Sequence, residues 1–247
     1  DLPKAATDAA HRATRLLGAV KPRSQRLTVV LEPPVTATLL GVLSGVLSGM
    51  AALKGRSFLA GRVEEQVAVP FLTLVDDPTE PEAYGASRYD AEGLASRRTV
   101  LIENGVLRRF LQNAYTARRS GLGASTANGV RGGFKSAPGV GSRALTLLPG
   151  DRDQEQLLSE VGEGLLVQTV SGLHSGVNAT TGDFSVGIQG LMVRGGEVTE
   201  PVREATIAST LQRMLGDVVA IGSDQEWLPG GAAGVTLAIG EVTLSGS

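Results

Sequence analysis

Glycine sets the first constraint on this chain. It occupies 33 of 247 positions without a three-residue period, which excludes a collagen helix. A backbone so rich in glycine must turn tightly, or approach another group closely, in many places. The glycines are unevenly placed. They gather between Gly121 and Gly141, around His174, and at Gly41, Gly45 and Gly49. At 42% hydrophobic residues the chain can still bury a core, as one large domain or two small ones. Cysteine is absent, which excludes a disulfide framework and any thiolate site and fits a cytoplasmic location.

Two segments read as hairpins. Arg97 to Ile102 and Val106 to Leu111 flank Glu103-Asn104-Gly105, and Asn-Gly between apolar runs is a strong hairpin signal. Ser185 to Val193 and Glu197 to Val202 flank Arg194-Gly195-Gly196 in the same manner. Strands are also expected at Leu27 to Leu31, Val67 to Val75, Ala144 to Leu148, Leu165 to Val170, Val218 to Ile221 and Val235 to Ile239. Asp76-Asp77-Pro78 ends the second of these. Helical spacing predicts helices over Asp8 to Leu17, from Pro33 to about Leu53, over Gln154 to Val161, and within Val202 to Leu215. Gly121 to Gly141 reads as a long loop. The expected fold class is α+β, with a large, curved, mainly antiparallel sheet, hairpins and a few packed helices. Glycines would serve its bends and bulges.

Pro33 to Leu53 carries no charge and is long enough to span a bilayer. Its prolines, Thr36, Thr38, Ser44 and Ser48 favour instead a helix packed closely on a sheet through its glycine face, with no membrane role. The start, Asp1-Leu2-Pro3-Lys4, lacks an initiator Met and an apolar signal segment. The expectation is a helical lead-in over residues 1–24, which could be the end of an upstream domain, before a domain over residues 25–247.

Net charge is −2, so no global attraction to nucleic acid or anionic lipid follows. Locally, eight acids and one base lie between Glu64 and Glu92, and nine bases and one acid between Arg97 and Arg143. The expectation is that these segments lie side by side and neutralise one another. The alternative is a basic patch for nucleic acid or an acidic partner. No Walker loop, dinucleotide fingerprint, nucleophile elbow or His-Glu-x-x-His is present. The two histidines, His11 and His174, cannot alone supply a zinc site.

His174 lies in a run of short polar residues and glycines from Ser171 to Ser185. Asp183 could orient His174 as a base for Ser175 or Thr181. The plainer expectation is a hydrogen-bonded turn system whose backbone groups bind an extended ligand. Asp90 and Glu92 would point the same way on a strand. Lacking a third metal ligand, they are expected to pair with nearby arginines. Arg56, Asp90, Glu92, His174, Asn178, Thr181 and Asp183 are the candidates for a substrate-holding rim. They would align charge and fix loops rather than cleave bonds.

Five stretches carry a resemblance: Gly55-Arg56-Ser57-Phe58-Leu59, Val75-Asp76-Asp77-Pro78, Tyr89-Asp90-Ala91-Glu92-Gly93, Val100 to Leu107, and Gly172 to Ser185 with its Thr-Gly-Asp-Phe-Ser core. In this order they resemble the C-terminal half of the TldD/PmbA family, also labelled modulators of DNA gyrase, and more closely the PmbA (TldE) type. The resemblance implies a metallopeptidase complex. TldD-type subunits there carry a His-Glu-x-x-x-His zinc motif in the N-terminal half, and a cysteine from the C-terminal half completes the site. PmbA-type subunits lack the motif and pair with TldD. It therefore implies no metal or other cofactor in this chain and zinc in a TldD-type partner. It further implies a peptide substrate, and a TldD-like subunit or a homo-oligomeric mate. Two other functions stay open: a hydrolase using His174, and a nucleic-acid or gyrase-associated binding module.

Overall fold

The computed structural model describes residues 2–121 and 123–246. α1 (Leu2–Thr14) leads to β1 (Gln25–Leu31), α2 (Pro33–Val46) and α3 (Gly49–Leu53). Then come β2 (Leu74–Asp76), β3 (Thr99–Glu103), β4 (Val106–Leu107) and α4 (Ala114–Arg119). The ribbon β5 (Gly129–Val130) and β6 (Gly139–Val140) precedes β7 (Leu145–Leu147), α5 (Gln154–Val161) and β8 (Gly164–Ser171). A short α6 (Leu173–Gly176) opens onto the long hairpin of β9 (Asp183–Arg194) and β10 (Glu197–Thr210). α7 (Leu211–Gly216), β11 (Val218–Ile221), β12 (Glu226–Trp227), β13 (Ala233–Gly234) and β14 (Leu237–Ser245) follow.

The fold is α+β, and its main sheet is large, curved and mostly antiparallel, as the pattern of strands and glycines predicts. It also closes on itself. β1 pairs with β8, then β9, β10 and β14 follow in order, and β14 returns to β1. Only β1 and β8 run parallel within this ring. The β9–β10 pairing shifts register between Val198 and Pro201 and again between Val202 and Ala205, and such bulges bend a strand. They also make room for Pro201, which cannot donate to a regular ladder. A second sheet has the order β4-β3-β2-β7. Asn104 (φ 50°) and Gly105 (φ 79°) form the tight turn between β3 and β4, the left-handed pair that a two-residue hairpin turn requires.

α2 begins where Pro33 and Pro34 need no backbone donors. It buries Val35, Thr36, Leu39, Leu40, Leu43 and Val46, a helical stripe. This stripe touches β1 and β8 of the ring and β7 of the second sheet. One large core therefore joins Val29, Leu31, Leu165 and Ile239 of the ring to Leu40, Leu74, Leu101 and Leu145. A smaller cluster of Val30, Leu166, Leu191 and Ala238 packs under Leu157 and Leu158 of α5.

Several expected elements change. The helix from Pro33 breaks at Leu47–Ser48, because Ser48 bridges to Leu111 and Gly49 donates to the Leu111 carbonyl. Its glycine face is not pressed on a sheet. A Cβ at Gly41 or Gly45 would meet nothing within 4 Å, and only Gly49 is crowded, by Gln112. No helix among the described residues is long and apolar enough to cross a membrane. Of Val67 to Val75 only the end is strand, since Pro70 and the turn closed by Leu72 interrupt it. The Gly121–Gly141 loop contains β5 and β6, and Leu122 within it lies outside the described residues. The helix expected within Val202 to Leu215 shrinks to α7, because β10 continues to Thr210. The first helix starts earlier than Asp8, and its Ala9 and Ala13 are exposed rather than packed.

Candidate functional site

The sequence candidates fall into two groups. Arg56, His174, Asn178, Thr181 and Asp183 gather at one end of the ring, where the Phe58 N–H donates to the Ala179 carbonyl at 3.2 Å. Leu173, Val177 and Ala179 pack against the main core and leave their polar neighbours exposed. Val177 bridges to Phe184, and Gly182 N–H donates to the Asn178 carbonyl at 2.7 Å. Asn178 Oδ1 accepts from the N–H groups of Thr180 and Thr181, at 2.9 and 3.3 Å. This is the Asx-type turn that short polar side chains favour. Glycine suits position 182 because its φ of 85° is one that side chains rarely adopt.

The Asp183 carboxylate accepts from Thr181 Oγ1 at 2.6 Å. No hydrogen bond joins it to His174 among the described residues. His174 is exposed on α6, and Ser175 Oγ bonds to the Gly172 carbonyl. Arg56 is exposed, two residues before the Phe58 N–H that bonds to this turn system.

Asp90 and Glu92 belong elsewhere, and among the described residues neither forms the expected arginine pair within 4 Å, although Asp90 attracts Arg143. They lie in a turn rather than on a strand, and their carboxylates are spent on backbone. Asp90 Oδ1 accepts from Glu92 and Leu94 N–H, each at 2.9 Å, and Oδ2 from Gly129 N–H. Glu92 Oε2 accepts from Ala114 N–H at 2.7 Å, at the start of α4, where the helix dipole favours a carboxylate.

Beside them stands a buried hub absent from the sequence candidates. Asp76 is fully buried. Its Oδ1 accepts from the N–H groups of Arg143 and Ala144 at 2.9 and 2.7 Å, and its Oδ2 from Asn128 Nδ2 at 2.6 Å. Burial pushes the Asp76 carboxyl above its ordinary value, and these donors pull the other way. The Arg143 guanidinium donates to the carbonyls of Tyr89 and Ala127 and to Ser96 Oγ. Burial lowers its pKa, with Asp76 and Asp90 opposing. Asn113 caps α4 and reaches the carbonyls of Pro138 and Gly139. The hub pins three loops to β2. Its one sequence signal was Asp76 in Val75-Asp76-Asp77-Pro78, which reads only as a strand end until the fold brings Asn128 and Arg143 to it.

No group of three or more His, Cys, Asp or Glu among the described residues could hold a metal ion. The side chain of His11 lies outside those residues. The donor set present does not fit a zinc centre.

The PmbA/TldA metallopeptidase C-terminal domain matches residues 24–246. This chain belongs to the PmbA/TldD metallopeptidase family. It is 31% identical over 219 residues to the metalloprotease PmbA of Escherichia coli O157:H7, covering 89% of this chain and 46% of that protein. A metalloprotease of Methanothermobacter thermautotrophicus is also 31% identical, over 216 residues, covering 87% and 46%. The crystal structure of TldE from Thermococcus kodakarensis superimposes with a TM-score of 0.89 at 27% identity, over 97% of this chain and 55% of that one. The chain thus spans about half the length of the relatives it matches.

Proposed function

We propose that this chain serves as a PmbA-like, non-catalytic subunit of a TldD/PmbA-type peptidase complex in the cytoplasm, helping to hold a peptide substrate while a TldD-like partner supplies zinc. A single observation carries this reading: a chain of this metallopeptidase family has no cysteine and only two histidines. The turn system at Val177–Phe184, with exposed Arg56, His174 and Asn178, is the proposed rim. Backbone groups there would meet an extended chain. Metal analysis and peptidase assays on the purified chain, alone and with a TldD-type partner, test the reading. The expected result is no stoichiometric zinc and no cleavage alone, with cleavage restored by the partner. Zinc-dependent cleavage by this chain alone would overturn it.

A further inference from the structure

The acidic segment neutralises the basic one only in part. Of its nine cations, only Arg98 and Arg108 come within 4 Å of a carboxylate among the described residues, Arg98 at Asp77 and Arg108 at Glu64 and Glu103. Arg88, Arg118, Arg119, Arg131 and Lys135 are exposed and have no such partner. The fold brings them together on three segments. Arg118 and Arg119 end α4. Arg131 and Lys135 lie on the tip between β5 and β6, whose base is clasped by Asn113 through Pro138 and Gly139. Arg88 lies on the turn whose Ala91 N–H donates to the Gly129 carbonyl of β5.

The same segments expose aromatic rings. Tyr89 is 60%, Tyr115 56% and Phe134 87% exposed, and Lys135 sits 5.5 Å from the Phe134 ring centre. On the same turn, the Asp90 and Glu92 carboxylates face backbone N–H groups. The face therefore presents sparse cations interleaved with rings. Arginine forks bind carboxylates, and exposed tyrosine and phenylalanine anchor apolar side chains. A polyanion of dense, regular charge gains less from five scattered cations on a chain of net charge −2.

We infer that this cationic, aromatic face captures acidic, extended polypeptide segments in which carboxylates alternate with apolar residues. The inference rests on the peptide-holding reading above and adds to it the substrate class and a separate docking surface. α3 contacts α4 and β6 of this face, and the chain leads from its end through Arg56 to Phe58, which bonds the rim.

Fluorescence anisotropy of a short labelled Glu/Leu peptide with the full chain tests it. The comparison is between wild type and Arg118→Glu/Arg119→Glu/Arg131→Glu/Lys135→Glu, whose surface positions leave the core intact. Binding is expected to weaken about tenfold or more in the variant and to fall with salt in the wild type. A Gln/Leu peptide and an Arg15→Glu/Arg23→Glu control should show no such loss. Unchanged binding by the fourfold variant overturns the surface, as does tighter binding of single-stranded DNA than of the acidic peptide. A neutral peptide offered to wild type with a TldD-type partner tests the complex separately. Failure of cleavage there, with acidic-peptide binding intact, removes the complex and leaves the surface.

Discussion

Asp76 Oδ1 lies 2.9 Å from the main-chain nitrogen of Arg143, while the Arg143 guanidinium donates to the carbonyls of Tyr89 and Ala127. One buried carboxylate thus fixes the backbone from which an arginine reaches two other loops. Asp76→Ala leaves the N–H groups of Arg143 and Ala144 and the Asn128 amide without this acceptor. Each unmet buried donor costs about 1–3 kcal/mol. Urea unfolding should show a loss of at least ~3 kcal/mol, and the β5–β6 ribbon should exchange its amides faster. Asp76→Asn isolates the charge. The folded-state pKa of Asp76 is raised above 3.8 by burial, so the native state binds this proton more tightly than the unfolded state. The stability Asp76 contributes is fully present below 3.8 and lost as pH rises through the raised value. The stability difference, wild type minus Asp76→Asn, should therefore grow as pH falls toward 3.8. A difference that is flat with pH would refute the assignment.

Across the long hairpin, Arg194 Nη2 donates to Glu200 Oε1 at 2.6 Å. This bond holds the Glu200 carboxyl down at about 2, from an ordinary 4.5. The sign is opposite to that of Asp76. The pair's contribution is present above 4.5 and lost as pH falls through about 2. The Arg194 side chain is 53% exposed, so solvent screens the pair and its contribution to stability is small. Side-chain NMR should place the Glu200 midpoint near 2 in wild type. In Arg194→Gln it should return toward 4.5. An unmoved midpoint would exclude the arginine as the cause.

Glycines of the same sequence type should respond in opposite ways. At Gly190 of β9 a Cβ would lie 2.1 Å from the Leu166 carbonyl oxygen of β8, so Gly190→Ala forces the ring strands apart. The expected cost is about 1–3 kcal/mol. At Gly41 of α2 a Cβ meets nothing within 4 Å. Gly41→Ala should then stabilise the protein by about 0.5–1 kcal/mol through helix propensity. Thermal melts of the two variants decide. Destabilisation by both would mean that the Gly41 face is covered.

The contrast between Gly190 and Gly41 also marks how far the sequence could be read. Local signals were legible: the Asn104-Gly105 turn, the prolines that open α2, and the alternating strands. Closure of the ring was not, because the pairing of Ile207 in β10 with Leu244 in β14 is set by three-dimensional contact. β10 read as ending near Val202 because Ile207, Leu211, Met214 and Leu215 have helical spacing, and the bulge that lets β10 run on past Pro201 has no local signature. The rim around Asn178 was visible as a run of turn residues. The hub at Asp76 was not, since its partners Asn128 and Arg143 are distant in sequence. Asp90 and Glu92 were mistaken for ion-pair residues because spacing cannot tell a strand from a turn whose carboxylates face their own backbone.

Glu32 ties the lead-in helix to the ring. Its Oε2 accepts from Arg12 Nη2 at 2.6 Å and its Oε1 from Gln168 Nε2 at 2.7 Å. Glu32 is buried, whereas the Arg12 side chain is 43% exposed. The pair therefore lies between a surface bridge and a buried one. Glu32→Ala removes the acceptor for both partners and should cost about 1–3 kcal/mol. Arg12 Nη2 also donates to the Gln168 carbonyl at 3.3 Å, whereas Ala6, Ala9, Ala10 and Ala13 of α1 are exposed. Amide exchange over α1 should accelerate sharply in Glu32→Ala and in Arg12→Ala, with β1 and β8 still protected. A double-mutant cycle should give a coupling energy above the ~0.2–1 kcal/mol of exposed pairs. If α1 keeps its protection in both variants, its attachment runs instead through the Val20 contacts with β10, where Val20 N–H donates to the Pro201 carbonyl at 3.0 Å.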